Sequence, residues 1–203
     1  MAHILGGVQD GRRVLPCLYD HDLQAKPGRF RNHYQFYLIN VGYFDPMSCH
    51  FYGLKNPPPG LCAWSRMRLE WMKPRSVKEV PRGQTMPIRL LPLAGNPSGV
   101  QAVKLPVDRS TYFLIENRQP MGSDLNLPSH GVLIYRADDQ VEECRHGRAP
   151  VKLEPADDSA PELKGAPFTM AGRSTYRNDR HGVRVRLLSQ QGPAYRIEVS
   201  NGR

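Results

Sequence analysis

The chain has 203 residues, 39% of them hydrophobic, with 18 glycines, 19 prolines and a formal net charge of +9. That length holds one ordinary domain or a small one with an appended segment, and the glycine and proline content points to many turns and few long helices. No stretch approaches the roughly 18 apolar residues of a membrane-spanning helix, and the first residues lack the basic start and apolar run of an export signal.

Cys17, Cys49, Cys62 and Cys144 make no CxxC pair, which excludes a structural zinc knuckle of the usual spacing. They leave open three disulfide pairings as well as the thiol form. The positive charge is compatible with an anionic partner, but scattered arginine reads first as solvated surface, and nucleic acid is the least favoured partner.

In chain order, "MAHILGG" is a short apolar helical turn carrying His3. Residues 1–72 are aromatic and rich in histidine, with irregular loops. Within them "YQFYLINV" (34–41) is a short apolar run that suits a buried strand or a helix equally. "PPPG" (57–60) is a stiff break. After it Leu61, Trp64, Ser65, Arg68, Leu69 and Met72 recur at helical spacing, predicting an amphipathic helix over 61–72 that ends at Lys73-Pro74.

From residue 85 the period changes to two. "TMPIRLLPL", "GVQAVKLPV", "STYFLIENR", "GVLIYRA", "HGVRVRLLS" and "PAYRIEVSN" read as six strands separated by turn residues. In "GVRVRLL", Val183, Val185 and Leu187 face one way while Arg184 and Arg186 face the other, the alternation of a half-buried antiparallel strand. The polar stretch 154–167 is a surface loop. The class is α+β, mainly β, and a sandwich or a curled sheet accommodates the strands.

Zinc protease helices of the form HExxHxxG set two histidines one turn apart on one face, with a glutamate beside the first as general base. "HILG" fits the second half, with His3 followed by Gly6. Further pieces follow in order: "LPCLYD" (15–20), "GYFDPMSCH" (42–50), "PPPGLCAWSRMRLEWM" (57–72) and "YFLIENRQPMGSDLNLPSHGVLIYRAD" (112–138). Together they resemble the immune inhibitor A type of secreted bacterial zinc metallopeptidase, over nearly all of the chain.

The resemblance implies a remnant of a zincin catalytic domain at 1–72, followed by an antiparallel β-sandwich-like domain at 73–203. It implies that His3 is the second zinc histidine and that Met47, in a Met-turn, forms an apolar floor beneath the metal. The third ligand falls at Cys17, where the family carries Asp, with Asp10 and Asp20 as rivals. Glu70 stands where the family has Gly, and Arg136 where it has His. Trp64, Leu69 and Trp71 are expected to pack the helix against the β-domain, and Glu116, Asn117, Arg118 and Gln119 to tie a strand to its neighbours.

No HExxH occurs in the chain, so the first zinc histidine and the general-base glutamate are missing. Loss of that base alone removes about 10²–10⁴-fold of rate. The expectation is a truncated metallopeptidase-like protein, inactive as encoded, whose full-length form is an extracellular zinc-dependent endopeptidase acting on protein or peptide substrates. The alternative is a non-catalytic β-rich binding or scaffold module. Truncation also implies exposed apolar surface at Ile4, Leu5, Tyr37 and Leu38.

Two other groups carry possible chemistry. Asp138, Asp139, Glu142 and Glu143 offer the oxygen ligands that calcium prefers, though without EF-hand spacing, so an exposed acidic loop is the favoured reading. Asp20, His21 and Asp22 in "YDHD" form an acidic turn.

Overall fold

The computed structural model describes residues 4–20, 40–48, 57–95, 97–160 and 163–202. His3, Tyr37, Leu38 and most of the 34–41 run lie outside them. The described chain is mainly β, and no helix in it is long and apolar enough to cross a membrane.

Two larger sheets dominate. The five-stranded sheet runs β3 (Val77–Glu79), β5 (Ala102–Pro106), β6 (Thr111–Arg118), β7 (Gly131–Asp138) and β8 (Val151–Leu153) in spatial order. Its pairings are antiparallel except β3 with β5, which is parallel, a departure from the all-antiparallel expectation. The four-stranded sheet runs β4 (Thr85–Leu90), β11 (Ala194–Asn201), β10 (Val183–Gln191) and β9 (Thr175–Asn178), all antiparallel. A small hairpin, β1 (Val8–Gln9) and β2 (Arg12–Arg13), lies near the N-terminus.

The two sheets face each other across one apolar core. Ile88, Leu90, Tyr176, Val183, Val185, Leu187, Ile197 and Val199 from the four-stranded sheet meet Val103, Leu105, Phe113, Ile115, Val132 and Ile134 from the five-stranded one. In β10 the alternation seen in the sequence is realised: Val183, Val185 and Leu187 are buried, Arg184 and Arg186 exposed. Pro87 sits in β4, an edge strand, the kind of position in a sheet where proline is tolerated.

The other face of the five-stranded sheet is also covered. Tyr112, Leu114, Leu133, Tyr135 and Ala137 form a second core with Leu15, Leu18, Val41, Phe44, Met47, Leu61, Cys62, Ala63 and Trp64. Burial on both faces is why β6 and β7 read as near-continuous apolar runs rather than alternating ones.

The helix α1 covers only Ala63–Arg68, shorter than its apolar spacing suggests. It ends because Glu70 adopts a left-handed conformation (φ 57°). Trp71 N–H then donates to the Arg66 carbonyl (2.8 Å) and Glu70 N–H to that of Met67 (3.0 Å), the paired bonds of a Schellman stop. This turn carries Trp71 out to solvent, 60% exposed, against the expectation that it packs on the sheet. Trp64 is fully buried as expected and Leu69 packs against the core edge. Ile4 is exposed, whereas Leu5 packs against the second core.

Candidate functional site

A buried polar centre lies where α1, the 40–48 turn and the end of β6 meet. Alternation along β6 puts Glu116 and Arg118 on the same face as Tyr112 and Leu114, towards the N-terminal layer. Both side chains are completely buried. Arg118 uses all five of its N–H groups. Nε and Nη2 grip the Asp124 carboxylate (2.7 Å each), Nη1 reaches the Phe44 carbonyl (2.6 Å) and Glu116 Oε1 (3.2 Å), and Nη2 also donates to the Gly60 carbonyl (2.9 Å). Gly60 N–H in turn donates to Asp124 (3.0 Å). A Cβ at Gly60 would stand 2.6 Å from Ser123 Oγ and 2.8 Å from Arg66 Nη2, so any larger residue would have to displace these side chains.

Glu116 accepts from Tyr135 Oη (2.6 Å) and from the Ala63 N–H (2.5 Å). Asp45 accepts from Cys62 N–H (2.9 Å), Ser65 Oγ (2.7 Å) and Met47 N–H (2.8 Å). Two carboxylates thus satisfy N–H groups that the first turn of α1 leaves unpaired. Burial pushes the Glu116 carboxyl above its usual range, opposed by Arg118 and by its hydrogen bonds. The same burial, with the Asp45 and Glu116 charges, raises the Cys62 thiol well above its usual range, so it stays protonated.

Asn117 and Gln119 complete the tie. Asn117 Nδ2 donates to the Leu90 and Pro193 carbonyls (3.3 and 2.7 Å), and Gln119 Nε2 to Asn117 Oδ1 (2.8 Å). The contacts expected of residues 116–119 are therefore made, and they are structural. Every polar atom of Glu116 and Arg118 has a partner inside the protein, so neither side chain faces an open cleft. Among the described residues, Trp64 Nε1 is the one buried side-chain nitrogen or oxygen without a hydrogen-bond partner.

A second group gathers where the 15–20 segment meets the loop between β7 and β8. Cys17 is half-buried and shares with Cys144, Arg13, Glu143 and Arg145 a cleft of about 300 Å³. Asp20 is fully buried and its Oδ2 accepts the Gly147 N–H (2.6 Å). Cys144 Sγ receives a contact from Asn40 Nδ2 (3.4 Å). Burial, followed by the nearby Asp20 charge, pushes the Cys144 thiol up to about 12. Both Cys17 and Cys144 are thiols. Arg12 pairs with Glu142 (2.8 Å), fastening the hairpin to the same loop.

Of the residues singled out as zinc ligands, Cys17 and Asp20 lie in this region, Asp10 sits exposed in the turn of the β1–β2 hairpin, and His3 is outside the described residues. Met47 is fully buried, and its carbonyl accepts the Leu18 N–H (2.7 Å), joining the 45–48 turn directly to the segment that bears Cys17 and Asp20. Among the described residues no three His, Cys, Asp or Glu side chains are grouped so as to hold a metal ion.

The acidic residues considered for calcium have separate engagements. Asp138 caps a turn at Gln140, Asp139 accepts from Tyr112, and Glu142 and Glu143 pair with Arg12 and Arg145. Asp45, Asp124 and Cys144 went unselected in the sequence. Asp45 precedes Pro46-Met47, a position suited to capping a turn, but nothing local marks the other two.

The chain matches no protein-family model and no curated protein sequence closely enough to assign a family.

Proposed function

We propose that this chain is a metallopeptidase-like protein that does not hydrolyse peptides and acts as a β-rich scaffold or binding module. The observation that carries this reading is the state of its motif residues. Glu116, Arg118, Asp45 and Asp124 are saturated by partners inside the protein, and the sequence holds no HExxH from which to build a general base on a zinc water.

Two features support the metallopeptidase ancestry. The backbone bond from Leu18 to Met47 joins the "LPCLYD" segment to the turn bearing Met47, which is compatible with Met47 lying beneath residues of that segment. The left-handed φ at Glu70 falls where the family pattern carries Gly, the residue that conformation favours.

The test is metal content and proteolysis of the purified chain. Mass spectrometry of metals after dialysis against zinc should find clearly less than one zinc per chain, and casein should stay intact. Stoichiometric zinc together with chelator-sensitive casein cleavage would replace this reading with that of an active endopeptidase.

A further inference from the structure

The outer face of the four-stranded sheet carries five arginines and no lysine: Arg89 on β4, Arg196 on β11, Arg184 and Arg186 on β10, and Arg177 on β9, all exposed. Alternation alone accounts for each being outside, but not for their register. Arg196 lies directly opposite Arg89, and Arg184 directly opposite Arg177. Like charges directly opposed across an antiparallel pair destabilise it. Glu198 pairs with Arg186 (3.0 Å) and Asp179 with Arg177. Among the described residues no carboxylate lies within ion-pair distance of Arg89, Arg184 or Arg196.

The arginines run as a diagonal across the four strands, from Arg89 and Arg196 at one corner through Arg186 to Arg184 and Arg177 at the other. At the first corner the arginine pair borders a cleft of about 300 Å³, with Gln191 on its rim and Pro87 and Tyr195 in its wall. The hydroxyls of Thr85 and Ser200, hydrogen-bonded to each other at 2.9 Å, continue the row of Arg177 and Arg184 across β11 and β4.

We propose that this face binds the phosphodiester backbone of double-stranded nucleic acid, with a phosphate anchored in the cleft between Arg89 and Arg196. An anion seated between two opposed guanidinium groups turns their repulsion into attraction, and the planar fork of arginine matches two phosphate oxygens at once. Arginine, hydroxyl and Gln amide are the donors that contact nucleic acid backbones without reading sequence. The large apolar side chains that are exposed among the described residues, Ile4, Val8, Trp71, Leu125 and Met170, all lie off this sheet. The face therefore has no aromatic platform for stacking the bases of a single strand and no apolar wedge for a membrane surface. The proposal is independent of whether the N-terminal segment ever held zinc.

Fluorescence anisotropy with a labelled duplex of about 20 base pairs and arbitrary sequence tests it at two salt concentrations. With the three arginines that lack a carboxylate as phosphate contacts, the slope of log K against log salt is about −2.7, so raising salt from ~50 to ~200 mM weakens binding about 40-fold. Arg89→Gln with Arg196→Gln should reduce that slope in magnitude by about 1.8 and weaken binding at ~50 mM at least tenfold. Arg75→Gln with Lys78→Gln removes the same charge from exposed positions beside and on β3, and should change affinity less than about twofold. All four positions are exposed, and matching circular dichroism melts establish that both variants fold. Equal weakening by the two double variants, absence of duplex binding at ~50 mM salt, or capture of heparin or anionic vesicles in place of DNA would each overturn the proposal.

Discussion

Replacing Arg118 with leucine isolates what the buried polar centre contributes. The substitution keeps an apolar stem of similar reach but removes five hydrogen bonds and the positive charge facing Asp124 and Glu116. Asp124 keeps the Gly60 N–H, Glu116 keeps Tyr135 and Ala63, and the Phe44 and Gly60 carbonyls lose this donor. Removing one partner of a buried ion pair costs about 3–5 kcal/mol, against a total stability of about 5–15 kcal/mol for a domain. At about 2–4 °C per kcal/mol for a chain of this size, the melting temperature should fall by about 6–20 °C. Urea unfolding followed by tryptophan fluorescence measures the free-energy loss, and a thermal melt the temperature shift, in a Trp71→Phe background so that buried Trp64, next to the site, is the reporter. Adding Asp124→Asn to Arg118→Leu should recover part of the loss, since it removes a stranded charge. A loss below about 1 kcal/mol, or a double variant as unstable as the sum of the singles, would refute the assignment of Arg118 as the central tie.

Glu70→Gly should stabilise the chain by up to about 1 kcal/mol, because it relieves a non-glycine residue in the left-handed turn that stops α1; a lower urea midpoint would count against this. His181 packs edge-on to Phe113, and partial burial together with Arg180 and Arg136 holds its pKa below the ordinary 6.5. Its folded state prefers the neutral ring, so its contribution to stability is complete above pH 6.5 and declines as pH falls through the lowered value; an NMR titration midpoint at or above 6.5 would contradict it. Cys144, with its thiol held up near 12, should resist iodoacetamide in the native protein at pH 8 and react on unfolding, a contrast that peptide mass spectrometry reads directly.

The six strands read from the sequence after residue 85 all form, with ends within three residues of those anticipated. The strands that went unseen in the larger sheets, β3, β8 and β9, have three or four residues, too few for alternation to rise above chance, and each lies at a sheet edge. The helix was placed correctly but drawn too long, since apolar spacing says nothing about the left-handed turn at Glu70. Buried polarity was partly anticipated: the family resemblance implied that Glu116 to Gln119 tie a strand to its neighbours. The partners were not. Asp124 lies only six residues from Arg118, but Asp45 meets Cys62 and Cys144 meets Asn40 through chain paths that no local pattern specifies. The opposed arginines escaped notice for the same reason, because which residues face each other is a property of pairing rather than of either strand.

The five-stranded sheet is a common wall between two apolar rooms. Phe113 and Ile115 furnish one side and Leu114 the other, so no displacement of β6 relaxes one room without straining the second. Denaturation should then proceed in one transition, and proteases should find no cut between the helix and the strands that releases a stable half. A fragment starting at Val77 would leave Glu116 and Arg118 facing water, with the helix N-terminus they anchor gone.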